Sequence, residues 1–319
     1  MPHSIGFRPL NVVLRPQSPA VEAYAAVASP TATALAQGFA PRPDLDLTFR
    51  GGHTIRDLVF VNQYLGAPSA WPAGARDSID QGLSALMSDP GLEAVIAQYY
   101  PGHPISSRML PSGTVTGTVG HRYYKDQAET AVTHLFQQGV LGTADPASSV
   151  ICLLLPPSAI LVDGLSHHKK GAAATHGEQA VHGRPARIDD EQVDSLHGLG
   201  GFHGSVHVGT TTVYYAISVY SQGTNGIDVF DTPWKNVVAT LYHELCEART
   251  DPDVEDVIRS GDASKLGWYS DHGGEIGDIP MSLAGQNLGE VMKELKLADG
   301  MTEPMQLQWS NRVHGPEGL

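Results

Sequence analysis

The run His243-Glu244-Leu245-Cys246-Glu247 combines residue types and a spacing suited to chemistry. On a helix, His243 and Glu247 project from one face on adjacent turns, and Glu244 lies about 100° round, beside that face. This is the geometry of the H-E-x-x-H zinc motif with Glu247 replacing the second histidine. In that motif the first and fifth residues grip the metal from one rigid helix. The second is held off the metal, where it takes a proton from metal-bound water. Zn²⁺ accepts carboxylate oxygen as well as imidazole, so Glu247 suits the fifth position. The spacing alone fits a solvated helix face equally well, because Glu is common on helices.

Further along, Gly273-Gly274-Glu275-Ile276-Gly277-Asp278 places two carboxylates between glycines, as in a turn that fixes acidic groups in space. In one zincin class the third ligand is a downstream Glu and a nearby Asp orients the ligating His. Glu275 as ligand and Asp278 as orienter follow that scheme, with Asp278 the alternative ligand. Trp268-Tyr269 precedes the turn. A tyrosine hydroxyl there suits donation to a developing oxyanion, and its competing reading is a packed loop aromatic.

The elements that position these residues follow from periodicity. The motif helix has Asp231 or Thr232 as cap, Pro233 at its first position, an apolar stripe of Trp234, Val237, Val238, Leu241 and Leu245, and Asp251-Pro252 as its stop. Residues 45–65 read as two strands around a Gly51-Gly52 turn. Helices are expected over 75–87, 92–99 and 125–138, and an exposed strand over 113–119. Val150-Ile151-Cys152-Leu153-Leu154-Leu155 is the clearest buried strand, and two more are expected over 205–208 and 211–219. Strands and helices followed by a helix with a loop-rich tail indicate an α+β, zincin-like domain with a mixed sheet. Residues 1–44 read as an Ala/Pro-rich arm and 45–319 as one domain. Into it is inserted a polar loop, about 166–200, with His167, His168, His176, His182 and His197. A loop this long is usually functional or disordered.

The motifs in order resemble the Exordium or phosphate-induced protein family and its bacterial relatives. The resemblance rests on the run Tyr242-His243-Glu244-Leu245-Cys246-Glu247-Ala248-Arg249-Thr250-Asp251-Pro252, on Gly267-Trp268-Tyr269, and on Gly274-Glu275-Ile276-Gly277-Asp278. Gly51-Gly52, Gly201-Phe202-His203-Gly204-Ser205 and Gln308-Trp309-Ser310-Asn311 extend it from about residue 45 to the C-terminus. The chain departs from the family at Pro280, where a cysteine is usual, and lacks its secretory leader. The resemblance implies a zincin-like fold and a metal site, with no agreed reaction. It also gives weight to His203 as a substrate or oxyanion contact. His203 and His207 face one side of an extended strand, where they could bind a metal, a structural role being the commoner outcome.

Composition narrows the classes. The chain of 319 residues is 41% hydrophobic, ordinary for a globular protein. Its formal charge of −14 argues against sequence-independent binding to nucleic acid or anionic membranes, both of which need basic patches. No apolar run approaches the roughly 20 residues of a membrane helix. Two cysteines, Cys152 and Cys246, make no disulfide framework. The start of the chain has no signal-peptide pattern, so the cytoplasm is the expected location.

The first expectation is therefore a zinc-dependent hydrolase acting on a peptide or amide bond. His243, Glu247 and Glu275 or Asp278 would hold the ion, Glu244 would be the general base, and Tyr269 or His203 would steady the oxyanion. The second is a tailoring enzyme for a small metabolite (lyase, cyclase or oxygenase) that uses Zn²⁺, Fe²⁺ or Mn²⁺. The third is a non-catalytic binding or signalling module.

Overall fold

The computed structural model describes residues 34–164 and 194–318. The first 33 residues of the expected arm, and the loop histidines His167, His168, His176 and His182, lie outside the described residues.

Fourteen strands and six helices are used below. In chain order they are β1 (Ala34–Leu35), β2 (Leu47–Phe49), β3 (Asp57–Leu65), α1 (Ala75–Ser88), α2 (Pro90–Ala97), β4 (Ser106–Val115), β5 (Arg122–Tyr124), α3 (Lys125–Gln137), β6 (Ser149–Leu154) and β7 (Ile160–Val162). They continue with β8 (Gly201–Val208), β9 (Thr211–Ser218), α4 (Pro233–Thr250), α5 (Val254–Ser260), β10 (Trp268–Ser270), α6 (Asp278–Ala284), β11 (Met292–Lys296), β12 (Thr302–Gln306), β13 (Trp309–Ser310) and β14 (Gly315–Gly318). The main sheet has the order β4-β3-β6-β9-β8. Its first four strands are parallel, and β8 runs antiparallel along the edge beside β9. The structure is thus mixed α and β with a mixed sheet. Ribbons β2–β10, β5–β7 and β11–β12 and the small sheet β1-β14-β13 surround it. Ala34 and Leu35, within the expected arm, pair with Gly318 and Glu317.

The run at Val150 is continuously apolar because both faces of β6 are covered. Val150, Cys152 and Leu154 join a core with Leu83 of α1 and Leu241 and Leu245 of α4. Ile151 and Leu153 face the opposite way, into a core with Ala128 and Val132 of α3. Period-2 alternation thus divides one strand between two helical layers. No helix among the described residues is long and apolar enough to cross a membrane.

Local departures have local causes. Pro90 follows α1 and would read as a break, yet it opens α2, where Asp89 caps the Gly91 and Leu92 amides at 2.8 and 3.1 Å. β4 begins at Ser106, ahead of the Thr/Val/Gly alternation, and runs through Pro111. That residue is tolerated because β4 is an edge strand and its pairing with β3 slips between Val61 and Gln63. At the start of α4, Thr232 takes the N-cap position, but its hydroxyl bonds Asp231 rather than a helix amide.

Candidate metal centre

Helix α4 packs against β8 and β9 of the main sheet and against β12 and α1. Its C-terminal half therefore faces the edge strand, and the acidic turn closes over it. The turn is made by Gly273 and Gly274, both with positive φ, and held by Ser270 N–H to the Gly274 carbonyl at 3.1 Å. Ile276 accepts from Trp309 N–H at 2.8 Å, which ties the turn to β13. The Asp278 N–H then donates to Glu247 Oε1 at 3.0 Å, locking the turn to the motif helix.

His243 is oriented by a group far along the chain. Its Nδ1 lies 2.6 Å from Gln306 Oε1 at the end of β12. The Gln306 amide nitrogen donates to the Gly277 carbonyl at 2.7 Å and the Leu307 carbonyl at 3.3 Å, so its oxygen is an acceptor and Nδ1 carries the proton. Nε2 is left facing Glu247 Oε2 at 3.1 Å and Asp278 Oδ1 at 4.0 Å. A tetrahedral ion with ligands at about 2.0–2.1 Å separates neighbouring donor atoms by about 3.3 Å. The His243–Glu247 pair is close to that spacing. Asp278, 56% exposed, has room to close on it.

His203 stands on β8, buried deeper in the site. Its Nδ1 faces Glu244 Oε2 at 3.3 Å and Glu247 Oε2 at 3.5 Å. Its Nε2 faces the Asp251 carbonyl at 3.2 Å and Glu275 Oε1 at 3.5 Å. Among the described residues two triads have donor atoms close enough to hold an ion: His243 with Glu247 and Asp278, and His203 with Glu244 and Glu247. The structure thus brings His243, Glu247 and Asp278 together. Glu275 joins neither triad and sits behind the His203 ring. The partner that fixes the His243 ring is Gln306, a residue without a sequence signal. Tyr269 is buried on β10, with its hydroxyl near Gly274 and its charge environment set partly by Glu275 and Asp278. His207 is half-exposed and pairs with Asp256 at 2.9 Å, away from both triads.

The electrostatics are those of buried carboxylates sharing few positive charges. Burial drives the pKa of Glu244 up and that of Glu275 well up, and pushes Asp251 up to about 7. For Glu247, burial acts upward but is outweighed by His243 and His203, which hold it at about 2. For His243, burial acts downward but the carboxylates of Glu247, Glu244 and Asp278 lift it to about 10. His203 is raised well above its usual value by Glu275, Glu244 and Glu247, against its burial. The charge on Glu247 is the main reason that Asp278 rises to about 6. Buried oxygens of Glu275 (Oε1) and Asp251 (Oδ2) have no hydrogen-bond partner. The carboxylates crowd two histidines that they hold in the charged form, a cluster that could take a metal ion in place of those protons.

Gly277 is required by the ring it covers. A Cβ built there falls 2.5 Å from His243 Nδ1 and 2.7 Å from Cε1. Gly277→Ala is expected to push the imidazole off Gln306 while leaving the fold intact. Displacing such an orienting partner typically weakens metal binding about 10–100-fold. Isothermal titration with Zn²⁺ measures this, and unchanged affinity would show that Gln306 does not orient the ring.

Comparisons against models of known families, curated proteins and solved structures each found no match to this chain.

Proposed function

We propose that this chain is a zinc-dependent hydrolase of zincin-like fold, related to the Exordium family and acting on peptide or amide bonds. The observation that carries the proposal is the fixed orientation of the His243 ring. Gln306 holds the Nδ1 proton, so Nε2 is the nitrogen turned to Glu247 and Asp278 where the site meets solvent. His243, Glu247 and Asp278 would hold the ion. The zincin reading is further supported by the antiparallel edge strand β8 beside the motif helix.

When bound, Zn²⁺ supplies Lewis acidity and a water of lowered pKa. Glu244 would receive that water's proton, since it is buried beside the triad and burial raises its pKa. Its Oε1 sits 3.2 Å from where a Cβ on Gly201 would lie, so the bare backbone of β8 leaves that oxygen room. Tyr269 would offer its hydroxyl to a developing oxyanion, with its own pKa pushed up to about 12 by burial so that it stays protonated. The carboxylate-rich donor set also suits Mn²⁺ or Fe²⁺, which would favour a tailoring reaction on a small metabolite.

The test is a mixed peptide library incubated with the Zn²⁺-loaded protein and read by mass spectrometry. Cleavage is expected. Glu244→Gln should keep the ion held by His243 yet cut at about 10²–10⁴-fold lower rate. A wild-type protein that binds zinc and cleaves nothing would remove the peptidase reading. Full activity in the variant would remove Glu244 as the base.

A further inference from the structure

We infer that the centre is built for two metal ions, with Glu247 as the bridge. The first is the ion of the proposed hydrolase, held by His243, Glu247 and Asp278. The second is held by His203, Glu244 and Glu247. This deepens that reading and rests on it.

Both imidazoles face the same atom. His243 Nε2 lies 3.1 Å from Glu247 Oε2, and His203 Nδ1 lies 3.5 Å from that same oxygen. Each ring has its other nitrogen committed to an acceptor. For His243 it is Gln306 Oε1 at 2.6 Å, and for His203 it is the Asp251 carbonyl at 3.2 Å, which can only accept. Each ring therefore donates away from the centre and turns its remaining nitrogen inward, against carboxylate oxygens. In the metal-free protein a shared proton bridges each inward nitrogen to these carboxylates, and a metal ion would take its place. The pattern occurs on both sides of Glu247 Oε2, which makes two positions for a cation.

One ion shared by both histidines does not fit. The two triads remain separate groups, each compact within 4.8 Å, and neither contains both histidines. A carboxylate oxygen between them instead matches two-metal hydrolytic sites, where the ions lie about 3.5–4 Å apart. The second position has its own outer support. Glu275 Oε1, buried and without a hydrogen-bond partner, lies 3.5 Å from His203 Nε2. A carboxylate behind a ligating imidazole is the usual device for orienting it and raising its basicity. Glu244 faces the inward side of the same ring through Oε2 at 3.3 Å. With both positions filled it would bind the second ion through Oε2 and leave Oε1 for the proton of the first ion's water.

The test is metal stoichiometry. The protein is saturated with Zn²⁺, dialysed, and its zinc per chain is determined by elemental analysis, with circular dichroism reporting the fold. Two ions are expected in the wild type and one in each of His203→Asn, Glu244→Gln and His243→Asn. One ion in the wild type that survives His203→Asn overturns the second site and leaves the hydrolase reading intact. One ion lost in both histidine variants shows a single shared ion and also overturns it. No zinc in the wild type overturns both readings. If His203→Asn fails to fold, X-ray absorption at the zinc edge on the wild type decides. A zinc–zinc vector near about 3.5–4 Å supports the pair, and its absence at full loading refutes it.

Discussion

Glu247→Gln is expected to abolish tight metal binding altogether, a larger effect than substituting either histidine. Glu247 belongs to both triads, and its Oε2 is the atom both imidazoles face. The amide keeps the shape but removes the charge, and one end of it becomes a donor. Loss of a group that merely orients a ligand costs about 10–100-fold, and loss of a ligand common to both positions should exceed that range. Zinc titration measures it, and a variant binding within tenfold of wild type would show that Glu247 is not a ligand. The metal-free protein should also lose stability, with a definite pH signature. His243 is raised to about 10, so its contribution is fully present below its unfolded value near 6.5 and fades as pH rises through about 10. Glu247 is depressed to about 2, so its contribution is fully present above its usual value of 4.5 and fades as pH falls through about 2. Both are complete between those unfolded values. Breaking a buried pair costs about 3–5 kcal/mol, so urea melts at a pH between 4.5 and 6.5 should show the largest gap from wild type. The gap should narrow toward pH 10 and toward pH 2. A gap independent of pH would show that these charges are not coupled.

Arg249→Ala is expected to cost about 3–5 kcal/mol of stability through a wholly different mechanism. Arg249 is 1% exposed near the end of α4, and its acceptors are neutral oxygens. The guanidinium donates to the carbonyls of Ile55, Arg56 and Ser106 at 3.2, 2.5 and 2.6 Å and to Ser107 Oγ at 2.9 Å. It thereby clamps the motif helix to the segments where β3 and β4 begin. Truncation leaves a cavity and buried carbonyls short of a donor. Against a typical domain stability of about 5–15 kcal/mol this is a large fraction. Arg249→Lys should lose less but stay clearly below wild type, because one ammonium cannot span that fan of acceptors. Thermal and urea unfolding check both variants, and a change under about 1 kcal/mol in Arg249→Ala would refute the clamp.

The two variants divide what the sequence shows from what it hides. Helix α4 was legible because Val237, Val238, Leu241 and Leu245 recur at helical spacing behind Pro233, and the β6 run was legible because a strand covered on both faces has no polar alternation to conceal it. His243, Glu244 and Glu247 were legible as a group because one helix places them. Which downstream acid meets His243 was not, since Glu275 and Asp278 lie three residues apart on a turn whose path depends on Gly274 and on docking against β13. Gln306 and the Arg249 clamp carry no local signal. Their partners stand 63 and more than 140 positions away, and a glutamine in a ribbon or an arginine on a helix is ordinary until the fold brings its acceptor.

The long reach from Gln306 to His243 also fixes an order of events in folding. His203 comes from the sheet edge, Glu247 from the helix, Asp278 from the turn and the orienting amide from a ribbon formed more than a hundred residues after β8 begins. Such contacts close only after the slow, non-local steps have been made. An ion therefore has no nucleus to template here, unlike in small zinc domains whose ligands lie close together and which fold around the metal. In the proposed centre an ion would enter last, after the chain has reached its native topology with the two imidazoles already fenced by acids.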